Sequence, residues 1–206
     1  MTMPMTLLRR VEGLLGGSAA VLFILSVTGF GAALDGYAQG RHPVALLGAS
    51  GVPHALGFNL LGWGLPGVLA VAVALCLLAR LPAGSSWPVR VAGQLLVLAG
   101  MAFAGMGLLP LDLQELDGPA SQAHASAWMV WVLSFIAGTL LLGAGLWRKA
   151  PILAKLALGC SVVAAVTAFG LQHALPAPLA QRITFACWAL WLALLLPVSR
   201  MLDARH

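Results

Sequence analysis

The residues of this chain that could do chemistry are histidines, carboxylates and a few aromatic side chains near the ends of long apolar segments. Imidazole and carboxylate groups serve as acids, bases and hydrogen-bond partners, and together they suit Zn²⁺. We predict that a ligand is bound by His42, His54, Asn59, Asp112, Asp117, His124, Trp128, Trp131 and His173. In this pocket the histidines at 54 and 124 would be donors or bases and the aspartates acceptors. The two tryptophans, which follow His124 at helical spacing, would form an apolar wall.

Metal and haem chemistry are two further hypotheses for the same histidines. Zinc would take His54, His124 and His173 as candidate ligands and leave one position open for water, as in a metal-dependent hydrolase or transferase acting on a membrane lipid. No H-x-x-x-H or H-E-x-x-H pattern places two ligands on one helical face. A b-type haem would need an axial pair, such as His54 with His124 or either of them with His173.

Other polar residues share this predicted surface: Asp35, Glu115, Ser121, Gln122, Gln172 and Arg182. Ser121 precedes His124 by three residues, so a nucleophile–base pair is one option. Serine at the start of a helix is more commonly an N-cap. We therefore assign no catalytic residue, and whether the protein is an enzyme stays open.

The composition determines what must position these side chains. Of the 206 residues, 61% are hydrophobic and 8% charged, whereas soluble domains have roughly 45–50% and about 25%. Such a chain must face lipid. The net charge of +5 is too thinly spread to form a basic face for nucleic acid, and the three cysteines form no C-x-x-C motif.

Six apolar segments are long enough to cross a bilayer core of about 30 Å as helices. They run approximately over residues 12–34, 55–78, 89–109, 124–146, 151–172 and 183–201. The sequence therefore predicts an all-α polytopic membrane protein, a bundle of six transmembrane helices forming a single domain over residues 1–206. Glycines within the spans favour close helix packing, or contact with a membrane-protein partner or a second copy of the chain through Gly-rich faces.

The Lys and Arg positions predict the orientation. Nine of them fall on the side of the N-terminus, and only Arg41 and Arg182 fall on the other side. We therefore expect both termini in the cytoplasm of a bacterial-type inner membrane, with loops 1, 3 and 5 in the periplasm. The predicted pocket would then face the outer leaflet.

Two outer segments carry a family resemblance. His42-Pro43-Val44-Ala45-Leu46-Leu47-Gly48-Ala49, with Pro53, Phe58-Asn59 and Leu65-Pro66-Gly67 after it, resembles the first loop and second helix of the uncharacterised six-pass membrane family numbered 998 among domains of unknown function. The acidic loop from Pro110 to His124 is similar to that family's second outer loop. The resemblance implies the six-helix fold, and it marks residues 42, 43, 59, 112, 117 and 124 as site or loop-locking positions. It implies no activity.

A more distant similarity is to Frag/DRAM/Sfk-type membrane proteins, some of which are linked to lipid remodelling or distribution. Their Pro-x-Ile-Ser-Asp pattern follows the first helix, and here Ala45 and Leu46 stand where Ser and Asp occur. Our leading hypothesis is that the outer pocket binds a lipid headgroup or an amphipathic small molecule. The alternatives are the zinc enzyme, a structural or accessory subunit, and the haem protein.

Overall fold

The structure is a computed structural model that describes residues 5–171 and 174–203, with side chains described for residues 14–171 and 174–195. This part of the chain forms six long helices and contains no strand. They are α1 (Met5–Ala33), α2 (Ala55–Ala79), α3 (Trp87–Leu108), α4 (Pro119–Leu146), α5 (Pro151–Gly170) and α6 (Ala177–Asp203). All six contain an apolar segment long enough to span a membrane. The prediction of an all-α, six-span membrane protein is confirmed.

Three helices begin five or more residues earlier than the sequence predicts, and the first of them, α1, begins at Met5 and not at residue 12. The fourth begins at Pro119 and not at His124, and the sixth begins at Ala177 and not at Ile183. Proline suits the first turn of a helix, because its missing N–H would have no partner there and its φ angle is already helical. His124 and Arg182 consequently lie inside helices α4 and α6.

Helix α2 changes its winding near the loop that precedes it. It starts as an α-helix at Ala55–Phe58, widens into a π-helix over Asn59–Gly64 and continues as an α-helix over Leu65–Ala79. The π-helix lies immediately before Pro66, whose ring removes a backbone donor and crowds the preceding turn. The distortion that a proline causes in the turn before it therefore takes the form of a π-helix here.

The helices pack as a closed ring in chain order, because α1 contacts α6 as well as α2. Aromatic side chains from five helices fill the centre of this ring. They are Phe23, Trp63, Phe103, Trp131, Phe135, Phe185 and Trp188, all of them buried. Their ring centroids lie 4.8–6.5 Å apart in the contacting pairs, the usual range for aromatic contacts.

Glycines set the close helix crossings, as the small-residue pattern predicts. A Cβ at Gly67 would collide with the backbone of Ala104 where α2 meets α3, and a Cβ at Gly16 would collide with the carbonyl of Leu192 where α1 meets α6. The second crossing closes the ring.

Candidate functional site

The two long loops on one side of the bundle are held in place by four of the nine predicted site residues and by Ser121. Loop one (residues 34–54) contains a 3-10 turn, Val44–Gly48, and loop three covers residues 109–118. The backbone N–H of Ser50 in loop one donates to the carbonyl of Leu111 in loop three at 2.8 Å. The loops therefore form one continuous cover.

His124 joins α4 to the start of loop three. Its side chain is 6% exposed, and its Nδ1 lies 2.7 Å from the carbonyl oxygen of Leu109. Since a carbonyl can only accept, Nδ1 carries the proton and donates. The His124 ring also contacts the Trp63 indole in a T-shaped arrangement, with the two ring centroids 6.4 Å apart. His124 thus ties a loop to the aromatic centre.

Asn59 makes the corresponding connection for loop one. It lies at the first position of the π-helix, is 7% exposed and donates from Nδ2 to the Gly48 carbonyl at 2.9 Å. A Cβ at Gly48 would collide with the Asn59 side chain. A larger residue at position 48 would therefore have to displace the Asn59 side chain from this contact.

Ser121 organises loop three from the first turn of α4. Its Oγ accepts from the Asp112 N–H at 3.1 Å and lies 3.0 Å and 2.9 Å from the carbonyls of Asp112 and Glu115. The Asp112 carboxylate accepts from the Gln114 N–H at 2.9 Å, an Asx turn within the loop. Asp117 is exposed. The Ser121 hydroxyl is thus engaged with loop backbone.

His42 and His54 lie in different settings. His42 is half-buried in loop one, where its Nδ1 accepts from the Ala38 N–H at 2.9 Å and its ring stacks on Tyr37 at 5.6 Å. His54 is exposed with a left-handed φ of 63° and lines a small groove between α1 and α2. Of the three histidines in the described part of the chain, the carbonyl-bonded His124 is the one that lies against the aromatic centre.

The two tryptophans differ in burial. Trp131 is fully buried in the aromatic centre, stacked on Phe185 at 4.8 Å, whereas Trp128 is partly buried 6.4 Å from Trp131. Trp131 therefore serves as core packing.

No three His, Cys, Asp or Glu side chains are grouped to hold a metal ion within residues 5–171 and 174–203. His173, the remaining zinc and haem candidate, lies outside these residues, and so does Gln172. The zinc and haem hypotheses stay predictions.

A groove of about 640 Å³ lies between α1 and α6, beneath loop one. None of the predicted ligand-binding residues in the described ranges lines it. Its walls are small or apolar, with Gly17, Ala20 and Val21 from α1 and Ala186, Ala189 and Ala193 from α6. Val21, Ile24 and Leu190 on its rim are about half exposed, so the groove opens toward the surrounding lipid.

The length of the groove matches one leaflet. Its lining extends from residue 17 to residue 28 on α1 and from residue 182 to residue 193 on α6. At 1.5 Å per residue each stretch rises about 16 Å, which is about half of the 30 Å hydrocarbon core. Within the candidate spans Leu14–Ala33 and Ala177–Leu195, the lining begins five residues from each loop-one end and stops three and two residues short of the opposite ends.

Arg182 is the charged residue in this lining, and it ties α6 to loop one. Its Nη1 donates to the carbonyls of His42 at 2.9 Å and Pro178 at 3.1 Å, and its Nη2 donates to the Tyr37 hydroxyl at 2.7 Å. Nε and Nη2 also donate to Oε1 of Gln39, at 3.3 Å and 2.8 Å. Every one of these acceptors is neutral, so the guanidinium charge meets no carboxylate among its described hydrogen-bond partners.

Burial and the Arg182 cation have opposite effects on the pKa of Tyr37. Burial raises the pKa of Tyr37 above its ordinary value of 10.0, while the charge and the hydrogen bond of Arg182 act in the opposite direction and burial dominates. Tyr37 also donates to the Pro43 carbonyl at 3.3 Å. The phenol therefore remains protonated at neutral pH and links Arg182 to loop one.

Sequence reasoning placed Arg182 on the outer surface but did not connect it with Tyr37, Gln39 or a groove. The two segments are about 140 residues apart in the chain, and only the pairing of α1 with α6 brings them together. One signal was present: Arg182 is one of only two Lys or Arg residues on that side.

The comparisons with known proteins agree with the six-helix architecture. Residues 18–197 match the family model described as "Protein of unknown function (DUF998)". None of the curated proteins and none of the solved structures matches the chain. The family match covers most of the 206 residues and includes both outer loops, which confirms the resemblance seen in the sequence. The chain is thus a multi-pass membrane protein that belongs to the DUF998 family.

Proposed function

We propose that this protein binds an amphipathic lipid, with one acyl chain in the groove between α1 and α6 and the polar end at Arg182 and Gln39. The observation that carries this proposal is the pairing of an apolar groove one leaflet long with a guanidinium at its loop-one end. The volume of about 640 Å³ lies within the about 300–1,000 Å³ typical of small-molecule sites. In the orientation predicted from the Lys and Arg positions, the lipid comes from the outer leaflet.

This proposal keeps the ligand class predicted from the sequence and moves the site. The predicted residues His124, Asn59 and Ser121 act in it indirectly, because they hold the loops that cover the bundle. His42 lies nearest to the new site, since its carbonyl accepts from Arg182.

The aromatic centre favours a binding function at the periphery of the bundle. Trp63, Trp131 and Trp188 are at most 2% exposed, so the middle of the ring is occupied by side chains. The groove between α1 and α6 lies on the outer side of this core, with Phe23 and Phe185 of the aromatic centre in its lining, and it faces lipid, where an acyl chain can enter from the side.

Filling the groove tests the proposal. A Cβ at Gly17 meets open space, so Gly17→Leu adds a side chain to the groove without a backbone collision, and leucine is the better helix former. We expect Gly17→Leu to lower the lipid that stays bound in native mass spectrometry by about tenfold, the equivalent of 1.4 kcal/mol. Gly159→Leu is the matched control, because a Cβ at Gly159 on α5 also meets open space.

The proposal fails if Gly17→Leu retains as much lipid as the unaltered protein and Gly159→Leu. Thermal unfolding of both variants in the same detergent shows whether the fold is kept. A loss confined to Gly17→Leu with an unchanged unfolding temperature supports the groove as the site.

A further inference from the structure

Gln39 and Arg182 form a contact whose geometry suits a different occupant. Nε and Nη2 of Arg182 are the two donors along one edge of the guanidinium plane, and both donate to the single Oε1 of Gln39. This edge fits two parallel hydrogen bonds from a carboxylate or phosphate, which are stronger than bonds to a neutral amide. The neutral Oε1 of Gln39 therefore occupies the edge of the guanidinium at which a carboxylate or phosphate would place two charged oxygens.

The remaining donors of Arg182 are independent of Gln39. The Nη1 bonds to the carbonyls of His42 and Pro178 and the Nη2 bond to Tyr37 keep the guanidinium in place. Gln39 itself is exposed, and its Nε2 donates to the Val27 carbonyl at 3.0 Å on α1. Its Oε1 can thus be displaced while Arg182 stays anchored to loop one and α6.

The positive charge of the site also favours an anionic ligand. The Arg182 acceptors given above are all neutral, and both Arg182 and Gln39 line the groove. Because charged groups near the membrane are usually paired or functional, an unbalanced guanidinium beside an acyl-sized groove favours an anionic amphiphile.

We propose that the groove selects an anionic phospholipid, whose phosphate oxygens displace Oε1 of Gln39 from the Nε–Nη2 edge of Arg182. This inference rests on the proposed lipid-binding function. Gln39 then acts as a neutral placeholder that keeps Arg182 hydrogen-bonded when no lipid is bound.

The experiment compares two lipids in one membrane. The protein is placed in nanodiscs containing equal amounts of phosphatidylglycerol and a diglucosyl diacylglycerol with the same acyl chains, an uncharged lipid that lacks the phosphate, and the lipid that stays bound is identified by native mass spectrometry. We expect the unaltered protein to prefer phosphatidylglycerol by about tenfold, a factor in the range of one charge-assisted hydrogen bond. Gln39→Glu puts a carboxylate on the same edge and should abolish the preference without unfolding the protein.

Three further variants distinguish the effect of the Arg182 charge from that of the Gln39 hydrogen bonds. Arg182→Gln should lose the preference, whereas Gln39→Ala, which empties the edge, should keep or increase it. Arg41→Gln removes the same charge from an exposed position in loop one and should leave the preference unchanged. Loss of preference in Gln39→Ala, or its persistence in Gln39→Glu, contradicts the inference.

The failure of this inference is distinguishable from failure of the proposed function. Equal retention of both lipids by the unaltered protein, with loss of both in Gly17→Leu, leaves lipid binding intact and removes the charge selectivity. Free phosphate is the other source of the same chemistry. The chain has one tyrosine, so fluorotyrosine labelling reports on Tyr37 alone. A fluorine NMR shift with inorganic phosphate as large as that with phosphatidylglycerol contradicts the lipid as the occupant.

Discussion

In the proposed function, Arg182 combines a structural and a binding role in one side chain. It lies in α6 but reaches loop one, where Tyr37 and the His42 carbonyl accept its hydrogen bonds. Ionisable residues within membrane spans are usually functional. Different donors of the guanidinium serve the two roles. The bonds to His42, Pro178 and Tyr37 hold the side chain in place, while a ligand can replace Gln39 at the Nε–Nη2 edge.

Replacing Arg182 should change the ionisation of Tyr37. Arg182→Gln removes the charge and the hydrogen bond that lower the pKa of this phenol, so burial acts alone and the pKa rises further above 10.0. The absorbance of the ionised phenol during an alkaline titration measures this, because Tyr37 is the one tyrosine in the sequence. Arg41→Gln is the control and should leave the titration almost unaltered.

The same shift predicts how stability depends on pH. Since the pKa of Tyr37 is higher in the folded state than in the unfolded state, its contribution is complete below pH 10.0 and is lost as pH rises through the folded value. The unfolding temperature should therefore fall above pH 10, and it should fall less in Tyr37→Phe. An identical fall in both proteins would show that Tyr37 does not contribute.

Asn59 offers a second prediction about a single side chain. Asn59→Asp keeps the shape but removes the amide that donates to the Gly48 carbonyl and buries a carboxylate. We expect the free energy of unfolding to fall by at least about 1 kcal/mol and by up to about 3 kcal/mol. The matched control is Gln114→Glu, the same change at an exposed loop position. Equal unfolding temperatures for the two variants would contradict the role of Asn59 as a loop anchor.

The contact between α1 and α6 depends on adjacent glycines with opposite surroundings. A Cβ at Gly16 collides with the Leu192 carbonyl, whereas a Cβ at Gly17 meets open space in the groove. Gly16→Ala should therefore destabilise the protein by roughly 1–3 kcal/mol through overpacking. Gly17→Ala should be neutral or stabilising by up to about 1 kcal/mol, because alanine is the better helix former. Thermal unfolding of the pair measures the difference, and equal values would contradict the close crossing.

The helices were largely predictable from the sequence, and the groove at Arg182 was not. Apolar length alone predicts six spans, and the His-containing loops were recognised as important. The starts at Pro119 and Ala177 were missed because the hydropathy pattern weakens there while proline still permits a helix. The groove depends on α1 meeting α6, a contact between opposite ends of the chain that no local pattern encodes.

The closed ring explains why the candidate site lies at the helix pair that completes it. Five of the six neighbouring helix pairs are joined by a loop along the chain, whereas α1 and α6 are joined only by contacts. Arg182 supplies hydrogen bonds across this pair at the loop-one end, and Gly16 supplies the close approach toward the other end. Between these two points the helices diverge enough to leave the groove.

Under the proposed function, the orientation of the whole molecule decides which leaflet supplies the lipid. The Lys and Arg distribution predicts that loop three lies outside the cell and that the turn between α4 and α5 lies inside. In a background with Cys76, Cys160 and Cys187 replaced by alanine, Glu115→Cys should react with a membrane-impermeant maleimide in intact cells. Lys149→Cys should react only after the membrane is permeabilised. Reaction of both positions in intact cells would overturn the topology. Reaction of Lys149→Cys alone would invert it, and the groove would then open to the inner leaflet.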